Sequence, residues 1–282
     1  NIRLLVEKDE YDGDTLTGIS TKELEWTSYT ISEEDYYRFD YSNIKSCEIG
    51  DEVRAVLIAE KDGVEYRSNA DVYNLRDYAY NRLAASDVGE FKALLVDMLN
   101  YCAASQEYFA YRSGSLVNLE LTEEQKALSR GSYAVLNNNE SITVLEGKTV
   151  PKIMKNVSFG NRIEAVFAMD LSNYDDLNGI VMHVEYTNIQ GINKALDIDS
   201  GTFAYDSNIG MYYGKVSSLS AAELRKVMTV TIMHNGVPVS DTITYSIETY
   251  VSKKLVSSTD EVFKSLLEKM MIYADSAQFY FE

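Results

Sequence analysis

Cysteine, proline and histidine each occur only twice in the 282 residues, and tryptophan once. Each scarcity excludes something. Two prolines beside 15 glycines rule out collagen-like and proline-rich linker sequences. Cys47 and Cys102 have no CxxC spacing and no histidine nearby, which argues against a zinc site or a redox motif. They read as two small core hydrophobes, and a disulfide between them stays open. No window reaches about 18 consecutive apolar residues, so no membrane-spanning helix is expected. Basic residues are also few: 26 against 44 acids leave a net charge of −18, which repels nucleic acid and anionic lipid.

Catalytic signatures are missing as well. None of GxSxG, HExxH, GxGxxG or GxxxxGK[ST] occurs. His183 and His234 both fall in strand-like runs of the second half, so they read as structural. Acids are spread along the chain, 23 against 12 bases in residues 1–112 and 21 against 14 in the remainder, as a solvated acidic surface would have them. A glycosidase-like carboxylate pair needs only two acids ~5 to 9 Å apart, so a hydrolase stands as the third reading.

What is present is tyrosine, 22 of them, and a repeat. Residues 73–109 lie over residues 245–281 at a constant offset of 172 with 13 identities in 37 positions. Among the identical pairs are Tyr73/Tyr245, Tyr78/Tyr250, Phe91/Phe263, Tyr101/Tyr273 and Gln106/Gln278. Upstream, residues 53–68 resemble 225–240, and Asp62-Gly63 and Asn235-Gly236 mark two-residue hairpin turns. Further back, Gly18 to Trp26 parallels Gly179 to Tyr186, which places about a dozen extra residues of the second copy near 197–213 and aligns Trp26 with Tyr186.

Each copy runs strands first and helices last, so the expected class is α+β. Two tandem antiparallel β-sandwiches of immunoglobulin-like size are expected, each followed by an αα-hairpin. Helices are predicted from Leu75 to Ala84, Val88 to Tyr111 and Ile247 to Val256, with a last long helix after Ser258. Asp87 with Glu90 and Ser258 with Glu261 have N-cap spacing. The expected division is 1–112, a linker over 113–140 with a short helix capped by Thr122 and Gln125, and 141–282. The second copy has strand-like sequence before its counterpart of Asn1 and the first has none, so the chain is expected to be a fragment of a longer protein.

Binding candidates are few. Trp26 and Tyr186, and the adjacent pairs Tyr36-Tyr37 and Tyr212-Tyr213, lie in strand-like runs where one residue of each pair faces away from the core. They are the candidates for a ligand-binding aromatic platform; cross-strand aromatic pairing is the structural alternative. Asp197 and Asp199, alternating before Gly201, are the weak calcium candidates, though no EF-hand is completed. No cofactor is expected.

The phrases YSIETY…LLEKMMIYADSAQFYF and YNLRDYAY…LLVDMLNYCAASQEYFAY, followed by LVNLELTEEQKAL, resemble a tandem module of large surface or secreted proteins of gut-dwelling Gram-positive bacteria (Firmicutes). The resemblance implies an extracellular bacterial setting, beside leucine-rich repeats or carbohydrate-active domains, and transfers no catalytic residue. The expected function is a non-enzymatic structural or interaction module, engaging a surface protein or a glycan. A carbohydrate-binding module using the sheet aromatics is the alternative.

Overall fold

The computed structural model describes residues 1–31, 33–85, 89–134, 140–160 and 162–282. It is α+β, with every strand pairing antiparallel and five α-helices among the described residues. The chain divides into two compact units, Asn1–Ser129 and Arg130–Glu282.

Unit 1 contains β1 (Ile2–Asp12), β2 (Thr15–Glu25), β3 (Thr27–Ile31), β4 (Glu34–Arg38), β5 (Val53–Lys61), β6 (Val64–Arg67) and β7 (Asp71–Tyr73). The helices α1 (Leu75–Ala84), α2 (Gly89–Tyr108) and α3 (Glu123–Lys126) follow. Five strands make one sheet in the order β2-β1-β5-β6, with β7 also on β5. β3 and β4 form a separate two-stranded ribbon. Asp62 and Gly63 take positive φ between β5 and β6, as a two-residue hairpin turn requires.

Unit 2 contains β8 (Ile142–Thr143), β9 (Ile153–Phe159), β10 (Ile163–Met169), β11 (Ile180–Thr187), β12 (Asn193–Asp199), β13 (Ala204–Asp206) and β14 (Met211–Val216). β15 (Met228–His234), β16 (Val237–Pro238), β17 (Thr242–Tyr245), α4 (Ile247–Ser257) and α5 (Glu261–Phe281) complete it. One sheet runs β13-β14-β10-β9 and the other β12-β11-β15-β17-β8. The two meet through side chains. The Phe167 ring of β10 stands edge-on to Tyr245 of β17 at 5.7 Å, and β14 comes so near that a Cβ on Gly214 would lie 2.9 Å from the Met182 methyl of β11.

The central strand organises both units alike. β5 pairs β1, β6 and β7, and β15 pairs β11, β16 and β17. Val53 faces Tyr73 as Met228 faces Tyr245. A one-turn helix precedes each central strand, Ser46–Glu48 and Ala221–Glu223. The residue after it accepts an amide from the first turn of the next helix: Arg76 to Ile49 at 3.0 Å, and Glu248 to Leu224 at 3.2 Å. Asn74 caps α1 and Ser246 caps α4 at the matching position, each side-chain oxygen taking the amide three residues on.

Three expectations are corrected by this register. Val6 pairs with Ala55 as Val184 pairs with Val230, so β1 corresponds to β11 and β2 to β12. Tyr186 faces Met228, and the residue facing Val53 is Lys8; Trp26 and Tyr186 are therefore not equivalent. The supposed insertion at 197–213 vanishes with that alignment, because those residues are β12, β13, β14 and their turns, the counterparts of β2, β3 and β4. What unit 2 has in addition is β8, β9 and β10. Third, the cap of α5 is Asp260, which accepts the Phe263 amide at 3.0 Å, while Ser258 ends α4. The Asp87 cap lies outside the described residues. Residues 113–129 belong to unit 1: Val117 and Leu121 are buried, and Gln106 accepts the Val117 amide at 2.9 Å. Thr122 and Gln125 cap α3 reciprocally.

Covering one sheet and not the other decides burial. Leu4–Leu57 and Met182–Ile232 are corresponding cross-strand pairs, yet Leu57 is 40% exposed and Ile232 0%. Phe167→Ala is expected to cost about 3–5 kcal/mol in urea unfolding, and Leu57→Ala less than about 1 kcal/mol. Gly179 holds φ +73° with its Cα facing the Asn235 side chain, 2.2 Å from where a Cβ would stand. Gly179→Ala should therefore lower the melting temperature by several degrees, about 1–3 kcal/mol, in a thermal scan.

Candidate functional site

A group of exposed aromatic residues lies on the β3–β4 ribbon. Its sequence alternates polar and apolar residues without a covering layer, and every residue of both strands is exposed. Ile31 faces Glu34 across the turn, with Glu33 at φ 72°. Directly opposed residues share a face, so the register assigns the two surfaces.

One face carries Tyr29 opposite Tyr36. The Arg38 guanidinium lies 5.4 Å above the Tyr29 ring, a cation–π contact. The Tyr36 hydroxyl donates to Glu34 Oε2 at 2.7 Å, and that bond to a carboxylate raises the phenol above its ordinary value. The other face carries Tyr37 opposite Ser28, and Thr30 donating to Asp35 Oδ1 at 2.8 Å. Trp26, one residue before β3, stands edge-on to Tyr37 at 4.8 Å and 84°. Trp26 is 42% and Tyr37 57% exposed. Aromatic edges and faces flanked by hydroxyls and carboxylates suit contact with sugar C–H groups or with a partner's apolar side chains.

The corresponding strands of unit 2 are more covered. Tyr205 and Tyr212 lie 4.8 Å apart across β13 and β14 with Tyr205 exposed, whereas Tyr212 and Tyr213 are half-buried. Tyr186 is buried on the inner side of β11, so its ring offers solvent no platform. Tyr29 and Ile31 were not among the sequence candidates; the alternation Thr27-Ser28-Tyr29-Thr30-Ile31 was the available signal.

The other candidates are engaged within the fold. Asp197 and Asp199 sit on β12, not in a loop: Asp197 meets His183, and Asp199 accepts the Gly201 amide at 2.8 Å. Among the described residues no group of three or more His, Cys, Asp or Glu side chains is placed to hold a metal ion. His234 lies edge-on to Tyr174 at 5.3 Å. Glu48 is buried against Lys8 at 2.8 Å and Lys45 at 2.9 Å; burial pushes its carboxyl up, and the two ammonium groups bring it below the usual range. Asp51 accepts from Tyr111 at 2.6 Å and Arg112 at 2.9 Å, and there burial prevails, raising its carboxyl. Arg225 of unit 2 reaches Glu248 at 2.8 Å. These ion pairs tie the segments that lead into the central strands to β1, to residues 111–112 and to α4. Cys47 and Cys102 are free and buried, and burial pushes the Cys47 thiol up to about 11. A thiol so raised is a poor nucleophile at neutral pH.

Comparison of the chain with protein-family models, with curated proteins and with solved structures finds no match.

The His183–Asp197 pair generates a pH dependence. Nδ1 lies 2.6 Å from Asp197 Oδ1, and Nε2 3.7 Å from Glu185; the Asp197 hydrogen bond raises the imidazole above its ordinary value. The folded state then holds the proton more tightly, so the pair stabilises at pH below ~6.5 and loses that contribution as pH rises through the raised value. Asp197→Asn should bring the His183 midpoint, followed by NMR, down toward ~6.5. It should also remove the acid-side gain in stability.

Proposed function

We propose that the chain is a non-enzymatic interaction module of a larger bacterial surface or secreted protein. In this reading it holds two tandem copies of an antiparallel β-sandwich closed by an αα-hairpin. The observation that carries it is the β3–β4 ribbon, where Trp26, Tyr29, Tyr36 and Tyr37 are exposed around their own ring contacts. Holding such residues in water gains the fold little, since neither face of the ribbon packs on the sheet, and large exposed apolar patches mark binding surfaces. The recurrent central strand and helix pair support the duplication, and the sequence resemblance supports the extracellular setting.

Carbohydrate binding is the second reading. It is favoured by the Trp26–Tyr37 face, whose rings stand beside the Thr30 hydroxyl and the Asp35 carboxylate. A glycan array read with the intact chain and with Trp26→Ala/Tyr37→Ala separates the two. Array binding lost in the variant selects the glycan, and protein binding lost in the variant selects a protein partner. Either loss is expected without a change in melting temperature beyond about 2 °C, because the rings bury little. A fall of more than about 5 °C would make the ribbon structural and overturn the reading. Hydrolysis of a polysaccharide abolished by one Asp or Glu substitution would overturn the non-enzymatic assignment.

A further inference from the structure

Both cysteines of the chain lie at one contact. Cys47 stands in the one-turn helix Ser46–Glu48 and Cys102 in α2, and the two elements approach with Cα atoms within 8 Å of each other. Ser46 Oγ and Ser105 Oγ share a hydrogen bond at 2.6 Å across that contact. Ser46 adjoins Cys47, and Ser105 follows Cys102 by three residues on the same face of the helix. The two cysteines are 5% and 3% exposed. They also feel each other's charge: burial raises the Cys102 thiol above its ordinary value, and a Cys47 thiolate raises it further.

Unit 2 fills the same contact differently. There the one-turn helix Ala221–Glu223 packs on α5. Ile49 and Leu224, the acceptors of the Arg76 and Glu248 amides, set the correspondence of the one-turn helices, so Cys47 matches Ala222. The offset of 172 along the long helices matches Cys102 with Ala274. Ser46 and Ser105 match Ala221 and Ala277 in the same way. Ala222 and Ala274 are 4% and 2% exposed, so the packing calls for small side chains and not for sulfur. Cysteine stands at both positions in one unit and alanine at both in the other; the two positions change as a pair.

We propose that Cys47 and Cys102 form a covalent cross-link site, oxidised to a disulfide that locks the one-turn helix of unit 1 to α2. The oxidant is a small-molecule disulfide or a thiol–disulfide oxidoreductase. Cys47 reacts first, because a single helical turn opens more readily than the 20-residue α2. Its thiolate attacks one sulfur of the oxidant and expels the other as a thiol; Cys102 then gives up its proton and attacks the Cys47 sulfur, releasing the second thiol. Two protein thiols lose two electrons and two protons, and the oxidant disulfide becomes two thiols. The bond closes a loop that contains β5, β6, β7 and α1, and such bonds persist outside the reducing cytosol. This goes beyond the interaction-module reading and does not depend on the partner that module takes.

The test refolds the reduced intact chain in a glutathione buffer, blocks remaining thiols with a maleimide in denaturant, and reads the product by mass spectrometry and peptide mapping. The expected product is an unlabelled monomer, lighter by two hydrogens, that yields a linked Cys47–Cys102 peptide and persists with reduced glutathione in about tenfold excess. Oxidation should raise the melting temperature by at least about 5 °C. It should slow hydrogen exchange at residues 46–48 and leave 221–223 unchanged. Cys47→Ala with Cys102→Ala, which copies unit 2, should melt within about 3 °C of the reduced chain and lose the oxidative rise. Cys102→Ser alone should stop at a mixed disulfide on Cys47. Both thiols still labelled after refolding, oxidation ending in mixed disulfides or in linked dimers of the unaltered chain, or a bond that leaves exchange at 46–48 unchanged would overturn the proposal. Binding through Trp26 and Tyr37 is read separately, so reduced thiols would leave the interaction-module reading standing.

Discussion

One backbone hydrogen bond holds each unit in its arrangement: the amide in the first turn of the first long helix donates to the carbonyl just after the one-turn helix that leads into the central strand. It fixes where the helix pair begins relative to the sheet. The N-terminal turn of a helix has orphan amides that need acceptors, and here a neighbouring turn supplies one while Asn74 or Ser246 supplies another. With the helix start pinned, Tyr73 and Tyr245 must occupy the last strand beside it, and Val53 and Met228 must face them. The rest of each unit is built outward from that join.

The units diverge in what lies over the join. In unit 2 two strands close the apolar face, and the residues beneath are buried to the last few per cent. In unit 1 Val6 stays buried, but Leu57 and Tyr73 are exposed, and polar chemistry takes up part of the task. Lys8, where unit 2 has Tyr186, is buried in an ion pair with Glu48. Burying two charges costs desolvation that their attraction offsets only when the remaining polar atoms are also satisfied. Lys45 and the Lys45 amide supply those contacts to Glu48. Tyrosine suits both situations, because its ring accepts burial and its hydroxyl accepts water.

The helices and the two hairpin turns were legible in the sequence, since a 3.6-residue period and Asp-Gly or Asn-Gly pairs are local signals, although α2 ends at Tyr108 rather than Tyr111. The identities of the repeat also located the seam, and Thr122 with Gln125 announced the short helix. The register of the early strands was not legible. Gly18 to Trp26 and Gly179 to Tyr186 look alike locally, but pairing with the central strand is a long-range constraint that matches β1 to β11 instead. For the same reason Tyr186 could not be told from Trp26 as a surface residue: period two says which side a residue faces, and only the covering layer says whether that side is wet. Ion pairs such as Lys8–Glu48 join residues 40 apart, and no spacing rule reaches them.

The open edge of β4 also gives the acidity of the chain a meaning beyond surface solvation. A bare strand edge invites identical chains to pair edge to edge, and the usual protection is charge placed beside it. Glu33, Glu34 and Asp35 stand at the turn that leads into β4, in the more acidic of the two units. Two such ribbons approaching one another bring like charges together, so crowding many copies side by side favours mutual avoidance over fibre growth. A ribbon guarded in this way can stay uncovered in a dense array.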